Sequence, residues 1–350
     1  LTIPARIIIG MLLDKFGPRK VYSGLLVIMS IPCFIFAWAD SMTMAVISRL
    51  LLGVIGAGFV IGIRMVAEWF PPKDVGEAEG IYGGFGNFGS AASAMLLPVI
   101  ALNVFGGDDG WRYSIMLTGA MCFIYGFIYY ANVTDTPEGV SYAKPKRGGA
   151  MEVTSFSSLY GLIFMQLPMI FALGLLNWKL HNGGFVLTQM AHVIYGVLIA
   201  IFLFQAYKAW TVNAPHIRAG IPEKDKYSFR QVAILDVAYF VTFGSELAVV
   251  SMLPKFFQET FTMTPQAAGL VAASFAFMNL FARPMGGFLS DRLGSRRRTL
   301  SFLLAGLAVG YWLMSQLNGT WPIPLAILVT MTCSFFVQAG EGAVFSIVPL

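Results

Sequence analysis

The sequence predicts an all-α integral membrane protein with two parallel-related helical halves, and three observations carry that prediction. Of 350 residues, 57% are hydrophobic and only 12% are charged, whereas a soluble chain carries about a quarter charged residues. Eleven apolar runs follow one another along the chain. A polar pattern near the start also recurs close to residue 283 with the same internal spacing.

In order, the runs cover 1–13, 21–39, 42–69, 76–104, 111–131, 157–178, 183–207, 229–254, 265–289, 299–316 and 322–350. Crossing a hydrocarbon layer of ~30 Å takes about 20 helical residues. Helices are expected because the runs lack the alternation of a membrane barrel. The first run begins apolar at Leu1 and the last ends apolar at Leu350, so the chain is expected to be the middle of a longer one. Polar stretches at 132–156 and 208–228 bracket the sixth and seventh runs. This pair is expected as an inserted hydrophobic hairpin that either spans the bilayer or lies in its plane.

Numbering the runs alternately separates the basic residues. One side holds Lys15, Arg19, Lys20, Lys73, Lys144, Lys146, Arg147, Lys208, Arg218, Lys224, Lys226, Arg230, Arg292, Arg296, Arg297 and Arg298. The other side holds Arg112, Lys179 and Lys255. The positive-inside rule makes the first side cytoplasmic and the protein a multi-pass component of the inner, cytoplasmic membrane. The lipid bilayer is thus one expected partner; nucleic acid is not. Cys33, Cys122, Cys333, His181, His192 and His216 are scattered, so neither a disulfide framework nor a metal site is expected. No cofactor, catalytic nucleophile or acid pair is assembled, which argues against an enzyme, and a monomer is expected.

The repeat matches Arg6-Ile-Ile-Ile-Gly10-Met-Leu-Leu-Asp14-Lys15-Phe16-Gly17 to Arg283-Pro-Met-Gly-Gly287-Phe-Leu-Ser-Asp291-Arg292-Leu293-Gly294. Both copies lead into basic loops on the same side, which predicts parallel halves related by an axis along the membrane normal. Arg6 and Arg283 each precede the loop aspartate by eight residues. At ~1.5 Å per residue this lifts them ~12 Å from the cytoplasmic boundary, close to the midplane. A charge there costs at least ~2.5 kcal/mol on insertion scales, so both should face the bundle interior. An ion pair with a neighbouring helix is one expectation. A central site for a small anion is the favoured one, because the arginines occupy equivalent positions and repeat interfaces hold transporter substrates.

Other side chains reach this depth. Asn87, in Gly80-Ile-Tyr82-Gly83-Gly84-Phe85-Gly86-Asn87-Phe88-Gly89, lies ~16 Å in at the same rise and offers amide donors without charge. Gly76, Gly80 and Gly84 have the spacing of close helix packing. Tyr239, Phe243 and Glu246 share a helical face, and the two aromatics could sandwich a flat ligand. Arg64 and Glu68 are expected to pair at i,i+4. Glu246 and Glu341 are candidates for proton coupling, although helical rise sets Glu246 toward the outer side, away from the arginines.

The loops Gly10 to Lys20 and Gly287 to Arg298, with Gly10, Asp14, Gly17 and Arg19 matched by Gly287, Asp291, Gly294 and Arg296, resemble the conformational loop motif of the major facilitator superfamily. Arg49-Leu-Leu-Leu-Gly53 resembles that family's fourth-helix motif. The resemblance implies the major facilitator fold from its second helix to its tenth. It would divide the chain into 1–135, helices 2 to 6 of the N-terminal six-helix half; 136–228, the central loop with its hairpin; and 229–350, helices 7 to 10. Gly-Gly-Phe-Gly-Asn87-Phe-Gly resembles the signature of the nitrate/nitrite porter family. Thr242-Phe-Gly-Ser-Glu246-Leu-Ala and Arg64-Met-Val-Ala-Glu68-Trp-Phe-Pro are most similar to the cyanobacterial type. The resemblance implies nitrate and nitrite as substrates of Arg6, Arg283, Asn87, Tyr239 and Phe243, with proton-coupled uptake by alternating access. A nitrate/nitrite exchanger, a carrier for another anion or a drug, and a non-transporting anion sensor remain alternatives.

Overall fold

The computed structural model describes residues 2–140, 142, 151–223 and 226–347. Lys144, Lys146, Arg147, Lys224 and Leu350 lie outside the described residues. The described chain is helical: α1 (Thr2–Phe16), α2 (Pro18–Ala37), α3 (Met42–Leu52), α4 (Gly58–Trp69), α5 (Val75–Val99), α6 (Gly110–Asn132), α7 (Phe156–Phe164), α8 (Leu167–Asn182), α9 (Thr188–Ala219), α10 (Phe229–Phe261), α11 (Pro265–Phe277), α12 (Asn279–Arg292), α13 (Arg296–Ser315) and α14 (Ile323–Phe345). Among the described residues, ten helical stretches are long and apolar enough to cross a membrane; the eleventh expected run is α1, with 15 residues described.

Contacts divide the chain into two units, Leu1–Lys144 with Ala238–Leu350, and Pro145–Val237. In the first, α2 packs on α6, α5 on α12, and α14 on both α12 and α13. The α5–α12 contact is close because glycines form it. A Cβ on Gly80 would stand 2.7 Å from the Arg283 carbonyl oxygen, and one on Gly84 2.6 Å from that of Asn279. Gly76 faces Asp291 and Ser346 in the same way. Backbones so close gain dispersion contact in a lipid setting, where burial of apolar surface gives little drive.

Two long helices are interrupted. Between α3 and α4 the chain tightens into a 3-10 turn at Gly53–Ala57. Between α11 and α12, Met278 breaks the ladder and leaves the Phe275 carbonyl without a helical donor; Ser334 Oγ and Gln338 Nε2 both donate to it at 2.7 Å. Those two side chains restore the bonding a membrane interior demands. The repeat is mirrored in the backbone: Gly17 and Gly294, each closing its copy of the loop motif, have φ of 83° and 70°. That left-handed region suits glycine.

The second unit corrects one expected boundary. Residues 208–219, read as the start of a polar loop, continue helix α9 to Ala219. Asn213 is the reason: it is buried, its Nδ2 donates to Met151 O at 3.0 Å and Ala209 O at 2.8 Å, and its Oδ1 accepts from Val153 N at 2.7 Å. A polar side chain satisfied this way anchors the helix end inside the cluster of Leu159, Ala209, Ala214 and Phe229. Replacing it, Asn213→Leu, strands a buried amide, and each such group costs about 1–3 kcal/mol. A lower Tm of the purified full-length chain, with anion transport retained, is the expected result. Helix α10 likewise runs past the expected end at 254 to Phe261, because Leu253, Phe257 and Phe261 bury into the core with Phe275 and Leu307.

Candidate functional site

The site is built where α1, α4, α5, α10, α12 and α14 approach one another within the first unit. A cavity of about 660 Å³ is lined by Arg6, Phe59, Tyr82, Asn87 and Phe243, with glycines 56, 58 and 86 supplying open backbone. Arg6 stands on its wall with the guanidinium carbon 5.7 Å from the centroid of Phe59. Its Nε is buried and has no hydrogen-bond partner, and Arg6 makes no salt bridge among the described residues. This is a cation over a ring face, with no carboxylate partner among the described residues.

Arg283 sits differently. It is fully buried, at 0% exposure, and does not line the cavity. Its Nη1 donates to Gly83 O at 3.1 Å, its Nη2 lies against the Glu341 carboxylate, and Glu246 Oε2 is 3.8 Å away. With the Asn87 amide oxygen facing the guanidinium, that oxygen accepts from both Nη1 and Nη2 at 3.0 Å. Asn87 therefore joins the cavity wall to the buried cation. Gly83 permits the approach, since a Cβ there would stand 2.8 Å from Nη1.

The expected separation of Glu246 from the arginines is corrected here. Its Oε1 accepts from Asn279 Nδ2 at 2.6 Å while Oε2 faces Arg283. Helical rise compares Cα depths, but helical side chains lean toward their own N-terminus. On α12, which runs toward the cytoplasmic loop, Arg283 leans outward; on α10, which runs the other way, Glu246 leans inward. The two meet between their backbones.

Aromatic rings tie the elements together. Tyr239 and Phe243 are stacked, with centroids 5.2 Å apart and planes 4° from parallel. Phe345 packs edge-on against both Tyr239, at 5.1 Å, and Phe59, at 5.4 Å. The Arg283 guanidinium lies 6.0 Å from the Phe243 centroid and 5.9 Å from that of Phe345. The two arginines thus belong to one aromatic cluster. Tyr239 is not in the cavity lining, and its buried hydroxyl faces the guanidinium of Arg6, with Arg283 also near. The rings of Tyr239 and Phe243 stack on each other, so the space for a flat ligand is beside the pair, not between its members.

Beyond the cavity the two loop motifs are set differently. Asp291 Oδ2 accepts from the Glu77 amide at 2.9 Å, and Arg296 donates to Asp291 at 2.8 Å, to Ser346 O at 2.7 Å and to Pro72 O at 2.6 Å. The second-half motif thereby grips the start of α5 in the first half. Arg19 instead donates through its backbone to Asp135 at 2.7 Å and through Nε to Tyr130 O at 2.7 Å, contacts within its own half. Gly10 has no neighbour within 4 Å of an added Cβ, and Asp14 is in no salt bridge among the described residues, whereas an added Cβ on Gly287 would fall on the Gly76 backbone. The Arg64–Glu68 pair closes at 2.8 Å.

The sequence matches the Major Facilitator Superfamily over residues 1–221 and 235–349. The chain belongs to the major facilitator superfamily. Within that superfamily it is similar to the nitrate/nitrite transporter NrtP of Picosynechococcus sp., at 49% identity over 375 residues covering all of this chain and 70% of that protein. The protein of the same name from Nostoc punctiforme is 48% identical, with all of this chain and 71% of the relative covered. These identities place the chain in the nitrate/nitrite porter family of the superfamily. Among solved structures, the crystal structure of the human organic anion transporter MFSD10 superimposes with a TM-score of 0.56 at 17% identity. That alignment covers 99% of this chain and 66% of the other, and shows the major facilitator fold.

Three residues of the cluster were not singled out from the sequence. Asn279 and Phe345 each stand four positions from a residue that was, Arg283 and Glu341, so helical spacing alone would have found them. Phe59 had no such marker: its place depends on how α4 packs against α5, where its ring stacks on Tyr82 at 6.0 Å.

Proposed function

We propose that the protein is a secondary active transporter that carries nitrate, and also nitrite, across the cytoplasmic membrane by alternating access. The observation that carries this reading is Arg6, a guanidinium without a carboxylate partner among the described residues, on the wall of an aromatic-lined cavity that Asn87 also lines. A guanidinium offers a planar monoanion two parallel hydrogen bonds, and ring faces exclude water from its plane. The names of the two NrtP relatives point to the same substrates.

Charge balance supplies a reason for proton coupling. Arg6, Arg283, Glu246 and Glu341 are two cations and two carboxylates, neutral together when all are ionised. A bound monoanion leaves the cluster one negative charge in excess, in a medium where buried charge is expensive. A proton on Glu246 or Glu341 restores neutrality and loosens that carboxyl from Arg283. The anion and the proton then enter together.

Uptake by full-length protein in proteoliposomes tests this. Nitrate uptake should be driven by an inward pH gradient, competed by nitrite, and left unaffected by phosphate and organic anions. Competition by the latter would favour another major facilitator carrier, and binding without uptake a sensor. Glu246→Gln fixes the neutral form of one carboxyl, so nitrate exchange should persist while pH-driven accumulation falls at least severalfold. Unchanged accumulation would remove Glu246 from coupling.

A further inference from the structure

Glu79 on α5 is fully buried, and neither carboxylate oxygen has a hydrogen-bond partner among the described residues. It stands one helical turn from Gly83, whose carbonyl holds Arg283, and two residues from Glu77, whose amide is held by Asp291. It therefore lies between the anion cavity and the cytoplasmic grip of one half on the other.

The charged groups on the helices packed against this stretch do not compensate it. On α12, Asp291 is the group whose charge reaches Glu79, and it has the same sign. Arg296, beyond it, is committed to Asp291, Ser346 and Pro72. Arg283 is committed to Glu341 of α14, to Glu246 of α10 and to Asn87, and makes no salt bridge to Glu79. On α4, Arg64 is paired with Glu68; α11 carries no charged side chain. An ionised carboxylate enclosed without a cation or a donor is strongly disfavoured. Glu246 and Glu341 have a guanidinium beside them; Glu79 has none.

We propose that Glu79 is a proton-binding site of the transport cycle, loaded when the two halves close at their cytoplasmic end and emptied into cytoplasmic water when they part. The closed arrangement encloses Glu79 and requires it neutral. Once Asp291 releases the start of α5, water reaches Glu79, and an exposed glutamate ionises at neutral pH. Closure from the cytoplasmic side then requires a proton, so raising cytoplasmic pH slows the return of the carrier. This rests on the alternating-access reading above, but assigns a residue that substrate chemistry does not call for.

The test reads the gate and the transport separately, in the full-length protein. Hydrogen-exchange protection over residues 72–80, taken relative to the intrinsic exchange rate at each pH and without anion, should fall severalfold as pH increases in the wild type, and should stay high and flat in Glu79→Gln and Glu79→Met. In proteoliposomes without a pH gradient, nitrate/nitrite exchange should slow severalfold as pH rises in the wild type and in Glu246→Gln, and slow markedly less in Glu79→Gln. Glu79→Asp should keep the wild-type dependence. An equal pH dependence in the wild type and Glu79→Gln, or none in either, overturns the proposal. Absence of any nitrate exchange in the wild type would overturn the substrate reading and leave the hydrogen-exchange result to decide Glu79.

Discussion

Replacing Arg283 with Lys is expected to lower kcat/KM for nitrate uptake by at least ~100-fold, since two charge-assisted hydrogen bonds at about 1.5–3 kcal/mol each are lost. The guanidinium satisfies Gly83 O, Asn87 and Glu341 at once, with Glu246 close by. A lysine ammonium is a single point and cannot span those partners from one position. Asn87 would then lose the pair of donors that fixes its amide, and the cavity wall would lose its orientation. Because Glu246 and Glu341 would be left partly uncompensated, Arg283→Lys should also lower the Tm of the protein. Initial rates of nitrate uptake together with thermal unfolding of the same preparations measure both effects. Normal uptake would show that the buried guanidinium does not organise the site.

Arg6→Lys should behave differently. Arg6 makes no salt bridge among the described residues and stands over Phe59 on the cavity wall. Its replacement strands no carboxylate, so the Tm should change little. The loss falls on the anion, which gives up one of two parallel hydrogen bonds; at about 1.5–3 kcal/mol this raises KM by ~10–100-fold. The rate at saturating nitrate should be less affected, because an interaction with the bound anion throughout the cycle alters KM first. A concentration series on both variants separates the proposed roles, substrate binding for Arg6 and organisation of the site for Arg283.

The fold and the cluster were unequally legible in the sequence. The repeat aligned Arg6 of α1 with Arg283 of α12, because position along a helix is simple arithmetic. The glycines of α5 could be read as a close-packing face, and Asn87 stands out as a polar group among them. Direction was harder. Arg283 and Glu246 meet because their side chains lean toward opposite helix ends, which Cα depth ignores. The different settings of the two arginines were hidden too, since their sequence contexts match while their neighbours differ: Phe59 for one, Glu341 and Glu246 for the other. The continuation of α9 past Lys208 depended on a long-range partner, the 151–153 backbone received by Asn213, which no local pattern announces. By contrast the break at Gly53–Ala57 falls among glycines, Gly53, Gly56 and Gly58, inside the apolar run 42–69.

Glu79 is the residue where local and global demands conflict most openly. A carboxyl enclosed between glycine-packed helices without a cation is costly in the closed state. That cost disappears if the group is neutral when enclosed, which is why its effect should appear in pH dependence and not in substrate affinity.

The most direct test of the two-guanidinium account is calorimetric titration of nitrate into the purified full-length protein, repeated with Arg6→Lys. The account expects one nitrate bound per chain, displaced by nitrite and not by sulfate, with affinity reduced ~10–100-fold in the variant. Equal nitrate affinity in the wild type and Arg6→Lys would contradict it.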